Sequence, residues 1–124
     1  MAELDLTPLR ERLLEFSPQG RTALLPALYA AQELYGYLPE AVAAEVAAAL
    51  HVPLSDVAGV IDFYTLFYKE PVARTVIHVC NDPACAMAGS ESQFKLLTQH
   101  VTELPRPSGA VPAVTLERAP CLGL

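Results

Sequence analysis

Residues 74–89 read RTVIHVCNDPACAMAG, and this stretch decides how the second half of the chain folds. Thr75 to Val79 is a β-branched run broken only by His78, which favours a strand ending on Cys80. A polar turn with Asn81, Asp82 and Pro83 follows, and Cys85 arrives five residues after the first thiol, just ahead of a helix. The pattern predicts a strand that delivers one sulfur and a loop that delivers another. The remaining cysteine, Cys121, lies in Ala-Pro-Cys-Leu-Gly-Leu, right after a second strand-like run from about Val111 to Arg118. Three thiols therefore sit at the tips of two strands.

A bare C-x4-C leaves several chemistries open: a zinc site, a Cys80–Cys85 disulfide, or thiols buried as small apolar groups. Thioredoxin-type exchange is excluded for want of C-x-x-C. The plant-type ferredoxin spacing C-x4-C-x2-C also fails, because Ala88 stands where it requires cysteine. Iron–sulfur ligation asks for four thiolates, and two sulfurs on one tetrahedral metal must come within roughly 4 Å, given metal–sulfur bonds of about 2.3 Å. A four-residue turn can fold back that far. The turn after Cys80 and the helix start near Ser90 can both point amides at sulfur. His78 shares the strand face of Cys80 but lies two residues back, roughly 7 Å away. It reads as a satisfied histidine, with Rieske-like ligation the alternative.

Working outward, Lys69-Glu70-Pro71 marks a boundary, since Pro71 cannot continue a helix and a strand follows. After Cys85, Gly89 and Ser90 lead into a helix with Phe94, Leu97, Val101 and Leu104 on one stripe, ended by Pro105 and Pro107. The second strand alternates Val114 and Leu116 against Thr115 and Glu117, which predicts one buried and one wetter face. The preceding half is helical. Thr7 and Pro8 suit N-cap and N1, with Leu6, Leu9, Leu13 and Phe16 as the stripe. A second helix from about Thr22 to Tyr35 carries Leu24, Leu28, Ala31 and Tyr35 and stops at Gly36, with Pro26 a mild fault in its first turns. A third starts at Pro39 and packs through Val42, Val46 and Leu50. A fourth opens at Pro53 and extends its stripe through Leu54, Val57, Ile61, Tyr64 and Tyr68, thickened by Val60, Phe63 and Phe67. That aromatic cluster reads first as core, and secondarily as an interface.

With 52% apolar residues, 124 residues suffice for a packed core, in one domain or two small ones. No apolar run reaches the roughly 18 residues of a membrane span and the amino terminus lacks a basic region, so the expectation is a soluble, unexported protein. The net charge of −6 lies in residues 1–70, with ten acidic and four basic side chains, whereas residues 71–124 balance. An acidic half of this kind argues against nucleic acid as a partner. Three cysteines in such a chain make a poor disulfide framework and suit metal or redox work better.

The C-x4-C after one strand, the Cys-Leu-Gly after the next, and the upstream segments Val-Ile-Asp-Phe-Tyr-Thr-Leu-Phe and Tyr-Gly-Tyr-Leu-Pro-Glu together resemble the thioredoxin-like [2Fe-2S] ferredoxins. The likeness is to the 24 kDa-type subunit of NADH:quinone oxidoreductase, with relatives in NAD-dependent formate dehydrogenases and hydrogenases, and it runs from about residue 17. The resemblance implies an α+β or α/β chain: a four-helix bundle-like domain over 1–70, then a thioredoxin-like [2Fe-2S] domain over 71–124 that is incomplete at its C-terminus. It implies Cys80, Cys85 and Cys121 as ligands of a [2Fe-2S] cluster. In the family the second pair is spaced C-x3-C, so the fourth ligand is expected just beyond Leu124, and the 124-residue chain is expected to hold its cluster labilely. No catalytic residue is implied. The implied role is electron transfer beside a flavin- and NADH-binding 51 kDa-type subunit and other complex subunits, without membrane insertion. The implied place is cytoplasmic, peripheral on the inner face of a bacterial plasma membrane. The alternative is the corresponding subunit of an NAD-dependent formate dehydrogenase or hydrogenase, or a truncated, cluster-free assembly module.

Overall fold

The computed structural model describes residues 3–106 and 112–121 and divides the chain into two compact units, Met1–Pro71 and Val72–Leu124. The first is helical: α1 (Thr7–Phe16), a 3-10 segment (Ser17–Ala23), α2 (Leu24–Tyr35), α3 (Glu40–Leu50) and α4 (Leu54–Phe63). It has five helical segments rather than the four expected, because Ser17-Pro18-Gln19-Gly20 coils tightly instead of ending the helical path. Gly20 makes the kink with φ of 57°, a left-handed value that a side chain rarely adopts.

The helix ends correct several expectations. Thr7 is not the N-cap; Leu6 occupies that position, and the Thr7 N–H donates to the Asp5 carboxylate at 2.9 Å. That bond is the main reason the Asp5 carboxyl sits below its ordinary range. Because α2 begins at Leu24 rather than Thr22, Pro26 falls within the first turn, where N–H groups have no intrahelical partner, and it costs no bond. Gly36 stops α2 in the left-handed conformation, as its position predicts.

The fourth stripe ends at Phe63, not Tyr68, since Tyr64 is extended. Tertiary contacts win over periodicity here. The Gln32 side-chain amide donates to the Leu66 carbonyl at 2.7 Å and accepts from the Tyr68 N–H at 2.9 Å, while Leu38 N–H donates to the Tyr68 carbonyl. Residues 66–68 are thereby held against α2 in an unwound form. Phe67 is buried and meets Tyr29 at 4.8 Å between ring centroids, whereas Phe63 is 77% exposed.

The core of this unit is the apolar stripe set: Leu9 and Leu13, Leu24, Ala27 and Leu28, Val42, Val46 and Leu50, Val57 and Ile61. Alanines 27, 31, 43 and 47 within it let the helices approach closely. Outside, Arg10 donates to Glu45 through both Nε (3.2 Å) and Nη2 (2.7 Å), a two-pronged pair between α1 and α3. The Arg10 hydrogen bond holds the Glu45 carboxyl below its usual range, with desolvation opposing.

The second unit comprises β1 (Thr75–Cys80), α5 (Pro83–Met87), α6 (Ser90–Glu103) and β2 (Val114–Ala119). The strands pair in parallel, Thr75 opposite Val114 through Cys80 opposite Ala119. Mixed helices with a small parallel sheet fit a thioredoxin-like domain. The second strand starts at Val114 and runs to Ala119; the expected start at Val111 lies outside the described residues. Its sharp alternation is not realised, since Val114 to Glu117 are all half-buried. Arg118 ties α6 to β2: its guanidinium lies 4.0 Å from the Phe94 ring centroid and 2.6 Å from the Glu91 carboxylate.

Two outcomes are expected for the helical unit. Gln32→Ala removes one acceptor and one donor from residues 66–68 and lowers unfolding stability by about 1–2 kcal/mol, measurable by urea denaturation. Glu45→Gln lowers the melting temperature at neutral pH. Because the folded Glu45 pKa is depressed, its contribution is present above the unfolded carboxylate pKa of about 4.3 and is lost as pH falls through the folded value. The wild-type and variant melting curves should therefore converge in acid and also at high salt.

Candidate metal centre

Parallel pairing determines where the thiols emerge. Both strands run the same way, so their C-terminal ends share one edge of the sheet, with Cys80 directly opposite Ala119 and Cys121 two residues further on. The ladder continues one step past the strands, as Asn81 N–H donates to the Ala119 carbonyl at 3.0 Å.

Cys85 does not lie in a loop, as the turn residues suggested, but inside the five-residue helix α5. Asp82 is the N-cap and Pro83 the first helical residue, whose fixed φ and missing N–H suit that position. Ala86 N–H closes the turn on the Asp82 carbonyl at 2.8 Å. This turn folds the chain back and sets the half-buried Cys85 thiol beside the half-buried Cys80 thiol. The neighbouring Cys80 thiol is the chief cause of a raised Cys85 pKa, followed by desolvation and the charges of Cys121 and Asp82.

Cys121 is exposed, and its backbone N–H donates to Asp82 Oδ2 at 2.8 Å. Of the three predicted ligands, the fold thus brings Cys80 and Cys85 into contact and places Cys121 within electrostatic reach of Cys85. Among the described residues, no three His, Cys, Asp or Glu side chains converge as the ligands of a single metal ion. A binuclear cluster does not ask for that convergence, since its four thiolates are shared between two irons. One thiol pair in contact and a third on the adjoining strand end fit a [2Fe-2S] donor set.

His78 faces the neighbouring strand. It lies opposite Glu117 in the register, with Nδ1 3.7 Å from the Glu117 carboxylate. A depression of about 760 Å³ runs along β1 and the start of α6, lined by Ile77, Cys80, Cys85, Gly89, Ser90 and Leu97. Both thiols of the contacting pair open into it, next to the amino-terminal end of a fourteen-residue helix. Asp82 is the residue sequence reasoning missed, having been read only as part of a polar turn. Nothing in the local pattern marked it, because the group it binds lies 39 residues away.

Residues 10–124 match the model of the thioredoxin-like [2Fe-2S] ferredoxin family. An NADH-quinone oxidoreductase subunit of Rhizobium meliloti (strain 1021) is 39% identical over 109 residues, covering 86% of this chain and 63% of that protein. The HndA subunit of the NADP-reducing hydrogenase of Solidesulfovibrio fructosivorans is 39% identical over 80 residues, 64% of this chain and 47% of that protein. An NADH-quinone oxidoreductase subunit of Aquifex aeolicus (strain VF5) is 35% identical over 91 residues, 73% of this chain and 56% of that protein. The chain thus spans between about half and two thirds of the length of these curated relatives. The described helices include none long and apolar enough to cross a membrane. With a match that takes in all three cysteines and all but the first nine residues, the chain belongs to the thioredoxin-like [2Fe-2S] ferredoxin family, whose cofactor is a [2Fe-2S] cluster.

Proposed function

We propose that this chain is the electron-transfer [2Fe-2S] subunit of an NADH:quinone oxidoreductase-type complex, accessory to a flavin- and NADH-binding 51 kDa-type subunit. The observation that carries the proposal is the placing of Cys80, its neighbour Cys85 and Cys121 at one edge of the sheet, in a chain that matches the family over residues 10–124. Cys80, Cys85 and Cys121 hold the cluster. When bound, the cluster supplies one-electron transfer. The chain's own part is to place thiolates, shield them and orient amides toward sulfur, so it acts without a catalytic residue of its own.

In this reading residues 1–70 form a helical docking domain and residues 71–124 the cluster domain. The other complex subunits provide the NADH, flavin and acceptor sites, and the assembly sits at the cytoplasmic face of the membrane without this chain entering it. A second reading is favoured by the 39% identity to the NADP-reducing hydrogenase subunit: the same carrier role inside a hydrogenase. Quinone reduction by the purified assembly, against NADP reduction with dihydrogen as the electron donor, separates the two.

The test is Cys80→Ala in the complex formed by co-expression with the flavin subunit. Visible absorbance and acid-labile sulfide assigned to this chain should fall to background, while assembly stays 1:1 and NADH oxidation with an artificial acceptor stays largely intact. Cluster signals at wild-type level in that variant would remove Cys80 from the ligand set. Loss of flavin-site turnover with assembly preserved would make the chain part of the catalytic site.

A further inference from the structure

We propose that Asp82 is a positioning residue: its carboxylate clamps the backbone of Cys121 against the Cys80–Cys85 turn and so sets where the third thiol stands. The inference rests on the reading of Cys80, Cys85 and Cys121 as cluster ligands.

The last backbone bond between the two strand ends is Asn81 N–H on the Ala119 carbonyl. In this parallel register Pro120 stands opposite Asn81 with its nitrogen turned away from β1, and the donor that follows on the paired side is the Cys121 N–H. A side chain takes that donor: Asp82 Oδ2 accepts at 2.8 Å across 39 residues of sequence. An aspartate at an N-cap usually turns its carboxylate onto the helix it opens. Asp82, the N-cap of α5, makes no such bond, and its carboxylate reaches across to the other strand end instead. One residue therefore has two functions in the site. Its backbone carbonyl closes the turn that carries Cys85, and its side chain holds the segment that carries Cys121.

A charge-assisted bond to the backbone next to a ligand limits how far that thiol can swing from the other two. A fixed carboxylate beside the thiols also disfavours an added electron, which holds the reduction potential down.

Three variants in the full chain test this: Asp82→Asn, which keeps an oxygen acceptor and loses the charge; Asp82→Ala, which loses both; and Asp82→Glu. In the metal-free protein, NMR exchange with water should show the Cys121 amide slowed in wild type and Asp82→Asn and fast in Asp82→Ala, with β1 amides unchanged in all. After anaerobic reconstitution, Asp82→Ala should lose its cluster to a chelator about 10-fold faster or more. Asp82→Asn should retain it near the wild-type rate but with a reduction potential shifted upward. Partial recovery of cluster lifetime in Asp82→Glu would agree. Wild-type amide exchange and wild-type cluster lifetime in Asp82→Ala would overturn the proposal. If no form takes up a cluster while Cys121 exchange still depends on residue 82, the clamp stands and the ligand reading fails.

Discussion

The parallel pairing of β1 with β2 is the constraint on which the second unit depends. Parallel neighbours cannot be joined by a tight turn, so the chain must cross over between them, and here α5 and α6 make the crossover. The same geometry brings both C-terminal strand ends to one edge. Residues 41 apart in sequence, Cys80 and Cys121, become neighbours in space without any local signal requiring it. A two-stranded sheet is weakly held by itself. The Arg118 contacts to Phe94 and Glu91 supply part of the fastening, by tying the crossover helix to the strand it precedes.

A tight turn does for Cys85 what pairing does for Cys121. Asp82 and Pro83 start a helix too short to have much stability of its own, and it suffices to reverse the chain and bring one thiol onto another. The cost shows in the Cys85 thiol, whose ionisation is disfavoured by its neighbour and by the anions around it. Iron bound there would remove that conflict, since a cationic metal favours thiolate over thiol.

The helical unit follows a different logic. Its stability comes from apolar stripes meeting around Leu28, Val42, Val46 and Val57, with alanines setting the approach distance. Polar side chains then decide where helices stop. Gln32 holds residues 66–68 out of the helix that their aromatic spacing would otherwise extend, and Asp5 takes the N–H that opens α1. The excess of negative charge over residues 1–70 lies mostly on exposed faces, apart from pairs such as Arg10–Glu45 and Arg21–Asp56.

Much of this was legible in the chain itself. Apolar residues three and four apart marked Leu9 and Leu13, Leu24 and Leu28, and Val42 and Val46 as core, because a helix repeats its face at that period and nothing else in the region competes. Gly36 as a stop, Pro53 as a start and Cys80 at a strand end were readable too, since each depends on local backbone preferences. Family spacing pointed to the three cysteines. Tertiary structure decided the rest. It stopped α4 at Phe63, because a glutamine on another helix offered residues 66–68 better partners than the helix could. It put Cys85 on a helical turn, and it made Asp82, read from the sequence as part of a polar turn, a link between two strand ends. Such links join groups 34 to 39 residues apart, and a pattern read along a sequence carries no record of which distant donors and acceptors folding will bring together.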